Sequence, residues 1–125
     1  MTISVKKIHL WRGDVDDQPG TLVRTLQGTH PDVIMGYSYP GGDRTSRRAV
    51  IEVYPAAEPN STKPTLLIQG EGRLGLSEEF YGAIANEGIN IDFLVAQAVG
   101  ESFSVVMGFA TDEEADRAAA IARRL

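Results

Sequence analysis

The residue pattern predicts an α+β protein in which antiparallel sheets carry helices on one face. Short alternating apolar runs bounded by Gly and Pro recur along the chain. Apolar residues at helical spacing fall between these runs. The order of elements then restarts about sixty residues on, after a proline-bounded linker.

The first run, Ile3 to Trp11, reads as a strand rich in β-branched and large apolar residues. Its alternation is imperfect, because Ile3 and Val5 point opposite to Ile8 and Leu10. A bulge or burial on both faces accounts for that. Arg12 to Gln18 is polar, carries Gly13 and is expected to be a loop. Pro19 opens a helix with Leu22, Val23 and Leu26 on one side and Gly28 as its stop. Pro31 keeps His30 out of helical conformation, so Thr29, His30 and Pro31 must turn directly into the next strand. Val33 to Tyr39 alternates as a strand, Pro40 to Arg47 is turn chemistry, and Ala49 to Tyr54 returns as a hairpin.

Pro55 to Pro64 reads as a linker, after which the series begins again. Thr65 to Gln69 is a short strand and Gly70 to Arg73 a loop. Leu76, Phe80, Ala83 and Ile84 define a helical face from Leu74 to a stop at Gly88. Ile89 to Val95 and Phe103 to Phe109 alternate as paired strands across a turn at Gly100. Thr111 with Glu114 makes a capping box for a final helix. Its stripe is Ala115, Ala118, Ala122 and Leu125, and Arg123 and Arg124 sit favourably in its last turn. The expected organisation is a first repeat at 1–56, a linker at 57–64 and a second repeat at 65–125. Each repeat has the strand–helix–strand–strand order of half a ferredoxin-like sandwich.

Composition narrows the function classes. A 42% hydrophobic content supplies a core. The net charge of −5 and pI near 4.9 disfavour binding to nucleic-acid phosphates. With no cysteine, a disulfide framework, a thiolate metal site and a cysteine nucleophile are all excluded. No run is long enough to cross a membrane and the N-terminus lacks a signal-peptide pattern, so a cytoplasmic protein is the default expectation.

Several residues of the chain resemble a known family. Asp17-Gln18-Pro19-Gly20-Thr21-Leu22 resembles the strand-to-helix signature of ACT domains. Glu71-Gly72, Gly75 and the run Ile84 to Ile91 resemble the same region in the second half. Val95-Ala96-Gln97 and Phe103-Ser104-Val105-Val106 are similar to the regulatory ACT units of aspartate kinases. The resemblance implies a tandem ACT protein. Such modules regulate by binding small molecules, most often amino acids, and pair side by side through their sheets. They hold ligand at the paired interface, against the first strand-to-helix loop.

The chemistry of such a loop suits that role. A helix N-terminus offers unpaired N–H groups to a carboxylate, and a nearby acid takes an ammonium. The residues expected to bind ligand are Asp16, Asp17, Gln18, Pro19, Gly20 and Thr21 in the first repeat. In the second they are Arg73, Leu74, Gly75, Leu76, Asn90 and Ile91. No catalytic residue, metal ligand or cofactor is expected, and the resemblance implies a homodimer or higher oligomer. The alternative reading is a ligand-free interaction module or regulatory subunit that assembles with a partner enzyme.

The repeats also depart from a full unit. The first has only a linker where a second helix belongs. The second ends without a fourth strand, which the other half or another chain must supply. Gly20 to Asp32 spans twelve steps where Gly75 to Asp92 spans seventeen, so the first helix is expected to be short.

Other candidates have structural readings beside the functional ones. Asp14, Asp16 and Asp17 are a cation loop or a solvated acidic loop. His9 and His30 are ligands, bases or surface residues. Arg44, Arg47 and Arg48 are an anion site or a soluble hairpin tip. Trp11 and Tyr37 line a ligand pocket or a core. Ser77 and Ser104 have no base at useful spacing.

Overall fold

A computed structural model describes residues 3–43 and 46–125. Arg44, one of the three arginines of the predicted hairpin tip, lies outside them. The elements are β1 (Ile3–Ile8), β2 (Trp11–Asp16), α1 (Thr21–Leu26), β3 (Val33–Pro40), β4 (Arg47–Tyr54), β5 (Thr65–Glu71), α2 (Glu78–Asn86), β6 (Phe93–Val99), β7 (Ser102–Gly108) and α3 (Asp112–Arg124). A single 3₁₀ turn, Leu74–Leu76, precedes α2. The chain folds as α+β with two antiparallel sheets, ordered β1-β5-β7-β6 and β2-β4-β3.

The chain forms two compact units, one from residues 3–8 with 63–125 and the other from residues 9–62. The expected strand from Ile3 to Trp11 is thus two strands that serve different sheets. β1 pairs along its whole length with β5, from Ile3 opposite Gly70 to Ile8 opposite Thr65. The fourth strand that the second repeat lacks comes from the start of the same chain. Ile3 and Val5 stand on the face of Leu66 and Ile68 and pack against the helix-side core. Ile8 lies on the opposite face and is buried. The broken alternation reflects burial on both faces of β1, whose register with β5 runs without a bulge through Ile8.

In the four-stranded unit, Leu66, Ile68, Phe103, Val105 and Met107 form the sheet side of the core. Phe80 and Ile84 of α2 and Ala115, Ala118, Ala119, Ile121 and Ala122 of α3 form the helix side. The alanines give α3 a narrow face that can lie close to the sheet. Leu125, expected on this stripe, is 44% exposed because α3 ends before it. Thr111 Oγ1 accepts from the Glu114 amide at 3.1 Å, as a capping box requires. Lys7 of β1 meets Asp116 of α3 at 2.6 Å, and Arg123 donates to the Val5 carbonyl at 3.4 Å.

β6, the second strand of the expected second repeat, begins later than the alternation predicts, at Phe93 instead of Ile89. The intervening residues close α2. The Gly88 amide bonds to the Ala85 carbonyl and the Ile89 amide to the Ile84 carbonyl, with Gly88 at φ 72°. This is a Schellman ending, and Ile89 is its buried apolar contact.

The three-stranded unit contains β2, which the sequence reading placed in a loop. Trp11, Gly13 and Val15 face one way, and Arg12, Asp14 and Asp16 face the other. The strand was hidden by three charged residues on one face and a glycine on the other. α1 is a six-residue helix, shorter than the expected Pro19–Gly28 span, and leaves Leu22 and Val23 exposed.

Removing residues 1–8 is expected to uncover the β5 edge and the core beneath Ile3 and Val5, and to lose the buried Ile8 from the other face. The loss is on the order of 3 kcal/mol or more, given what burying each aliphatic side chain contributes. Urea unfolding of the truncated chain should show a much lower midpoint or no cooperative transition. A midpoint equal to that of the full chain would show that β1 is dispensable.

Candidate functional site

The expected site residues of the three-stranded unit gather at one turn. β2 ends at Asp16, residues 17–20 reverse direction, and α1 starts at Thr21 with Gly20 as its N-cap. The Thr21 hydroxyl donates to the Asp16 carbonyl at 3.0 Å, and the Thr21 amide to the Gln18 carbonyl at 3.1 Å. Both carboxylates already have cationic partners. Asp16 pairs with Arg48 at 2.5 Å and Asp17 with Arg47 at 3.9 Å. Arg48 also reaches Asp14 at 3.1 Å. These acids are therefore part of a cross-strand charge network on β2 and β4, not a cation loop. The Tyr39 hydroxyl donates to Asp14 at 2.6 Å. That bond, with Arg48, holds the Asp14 carboxyl below the usual carboxylate range; the bond to Asp14 also raises the Tyr39 hydroxyl, against the opposing effect of Arg48.

In the four-stranded unit the expected residues divide between two ends of the sheet. Arg73, Leu74, Gly75 and Leu76 follow the end of β5. Asn90 and Ile91 precede β6, whose first residue shares a row with Gly108 and Thr65 at the start of β5. A seven-residue strand is about 20 Å long, so the two groups do not meet. Asn90 instead donates from Nδ2 to Asp92 at 3.3 Å. Asp92 pairs with Lys63 at 2.6 Å, and that contact first of all keeps its carboxyl below the usual range.

Gly75 is buried for packing. A Cβ there would run into the Phe103 ring and the Val105 side chain. The Tyr81 hydroxyl donates to the Gly75 carbonyl at 2.5 Å, and partial burial raises that hydroxyl's pKa. The N-terminus of α2 is also occupied. Ser77 accepts from the Phe80 amide at 3.2 Å, and Glu78 and Glu79 fill the first turn. Such a capped, acidic terminus does not attract an anion.

What remains open beside this loop is a cleft of about 550 Å³ lined by Glu71, Gly72, Arg73, Gly100 and Glu101. The Gly72 amide donates to the Glu101 carbonyl at 2.6 Å and joins the end of β5 to the β6–β7 turn. Arg73 was expected here, and Glu71 and Gly72 belonged to the matching motif. Glu101 was not anticipated, because only the pairing of β5 with β7 brings it near. Among the described residues no group of three His, Cys, Asp or Glu side chains is arranged to hold a metal. Among the described residues no helix is long and apolar enough to cross a membrane.

The architecture places the chain in the class of tandem ACT-type, ferredoxin-like folds. Solved structures agree along the full length. The chain superposes on the regulatory subunit of aspartate kinase from Thermus flavus with a TM-score of 0.58 and 19% identity, covering 99% of this chain and 96% of that one. For the ligand-free form of the regulatory subunit of aspartate kinase from Thermus thermophilus the values are 0.60, 19%, 99% and 97%. At this identity the likeness establishes the fold. No family model and no curated protein sequence matches the chain.

The Asp14 network gives a pH prediction. A carboxyl held below its ordinary pKa stabilises the fold above the unfolded-state pKa, and that contribution is lost as pH falls through the folded value. In Tyr39→Phe, carboxyl NMR should show Asp14 titrating at higher pH, nearer the ordinary range. An unchanged Asp14 midpoint would remove Tyr39 from the network.

Proposed function

We propose that the chain is a non-catalytic regulatory protein that binds an amino acid at the Glu71–Arg73–Glu101 cleft of its four-stranded unit. The observation that carries this reading is the charge set. One guanidinium and two carboxylates line a single cleft at the end of β5. A free amino acid presents the complementary set, a carboxylate for Arg73 and an ammonium for a glutamate. The cleft volume lies within the range of small-molecule sites. The regulatory role is supported by the full-length likeness to two aspartate kinase regulatory subunits. A partner enzyme is part of the same proposal.

Assembly with a second copy belongs to it too. β6 is an edge strand, and Leu94, Val95 and Val99 on it are 44%, 41% and 72% exposed. An apolar edge favours pairing with an identical edge across a two-fold axis. The Gly100–Glu101 turn follows β6 directly, so such a partner would lie beside the cleft. In the three-stranded unit the expected ligand acids, Asp16 and Asp17, are already paired with arginines. That favours an assembly role for this unit, as in the ligand-free reading.

A thermal-shift screen of the amino acids at millimolar concentration tests the ligand. A ligand present at a hundredfold its Kd adds about 2.7 kcal/mol of stability. Arg73 is exposed, so Arg73→Ala should change the ligand-free midpoint little and abolish the response. No response to any amino acid would leave the ligand-free module as the correct reading. Light scattering tests the assembly. The unmodified chain should show at least a dimer's mass, and Val99→Lys should reduce it to a monomer's. A monomeric unmodified chain would contradict the proposed pairing.

A further inference from the structure

The three-stranded unit holds a second cleft, away from the strand-to-helix loops and lined by Trp11 and His30, two of the other candidates that the sequence offered. It has a volume of about 720 Å³, within the range of small-molecule sites. Its lining includes Trp11 of β2, Val53 of β4, Thr25 and His30 at the far end of α1, and Ala56 and Glu58 beyond β4. Two features give it chemical character.

The first is a flat aromatic floor. A Cβ on Gly13 would fall on the six-membered ring of Trp11. The indole therefore lies down along its own strand over Gly13. Trp11 is also among the residues that line the cleft. Trp11 is half-buried, Val53 beside it is fully buried, and Ala56 is half-buried.

The second is the polar inventory. The Thr25 hydroxyl is spent on the Thr21 carbonyl at 2.9 Å, and the Thr29 hydroxyl on the Leu26 carbonyl at 2.8 Å. Glu58 and His30 make no hydrogen bond or ion pair among the described residues. No lysine or arginine lines the cleft. A carboxylate without a partner and an indole that line the same cleft form an acceptor for cations, through charge at one group and the ring quadrupole at the other. The apolar floor calls for a flat hydrocarbon body.

We propose that this cleft binds a small organic cation with a planar aromatic body, the ring on Trp11 and the charged group toward Glu58. The charge preference is opposite to that of a carboxylate-bearing metabolite. This site stands independently of the amino-acid cleft.

Trp11 is the only tryptophan in the chain, so its fluorescence reports on this cleft alone. The full chain is titrated with benzyltrimethylammonium and, separately, with benzoate. The expected result is a saturable change with the cation, at a midpoint about tenfold or more below that for benzoate. Glu58→Gln, an exposed substitution, should bring the two midpoints within about twofold. A cation response that rises linearly without saturating overturns the proposal. So does equal binding of cation and benzoate by the unmodified chain, or a preference that survives Glu58→Gln. None of these outcomes bears on the response at Arg73, which is read by amino-acid addition.

Discussion

β5 lies between two neighbours, and one of them, β1, is encoded sixty residues earlier. Much of the architecture depends on this pairing. Without β1, β5 would be an open edge and the core under Ile3 and Val5 would face water. With it, the second repeat becomes a four-stranded unit whose two ends are fixed. Lys7 and the Val5 carbonyl then bind α3 from the side, through Asp116 and Arg123. The chain must therefore leave this unit after Ile8 and return to it at Lys63. Residues 9–62 are an insertion in topological terms, although the sequence presents them as most of a first repeat.

Long periodic elements were legible in the sequence because one side chain in two, or in three and four, had to be buried. β4, β7 and α3 fall nearly where the pattern put them, and the Thr111 cap is made by the residues that signalled it. β2 was missed for a physical reason. Its outward face carries Arg12, Asp14 and Asp16, whose charges are neutralised across the sheet by Glu52 and Arg48. Its inward face carries Gly13, which has no side chain to register a period. The late start of β6 was missed because Ile89 looks like a strand residue and is instead the apolar end of a helix cap. The change of sheet after Ile8 left no mark in the alternation, because the shift of parity from Ile3 and Val5 to Ile8 falls within β1 and reflects burial on both of its faces.

The candidate site was legible in part. The motif pointed to the strand-to-helix loops, and Arg73 and its neighbours do flank a cleft. The chemistry expected of those loops was different. α1 is too short to act as an anion site, and α2 is capped by Ser77 and faced by two glutamates. Gly75, which in sequence suggests close approach of a ligand, admits Phe103 and Val105. The groups that line the open cleft there are side chains at strand ends, and one of them, Glu101, comes from a turn thirty residues along the chain. Sequence spacing carries no signal for such a pair. Asn90 lies at the other end of the sheet from Arg73, a separation set by strand length that the motif does not show.

The central claim is that an amino acid occupies the cleft at the end of β5. An amide correlation spectrum of the isotope-labelled chain, recorded during titration with each amino acid, tests it by position. The account predicts saturable shifts concentrated at Gly72, Arg73, Gly100 and Glu101, with the amides of Asn90 and Ile91 unmoved at the opposite end of the sheet. Shifts centred on Asn90 and Ile91, or none at Arg73 and Glu101 with any amino acid, would contradict it.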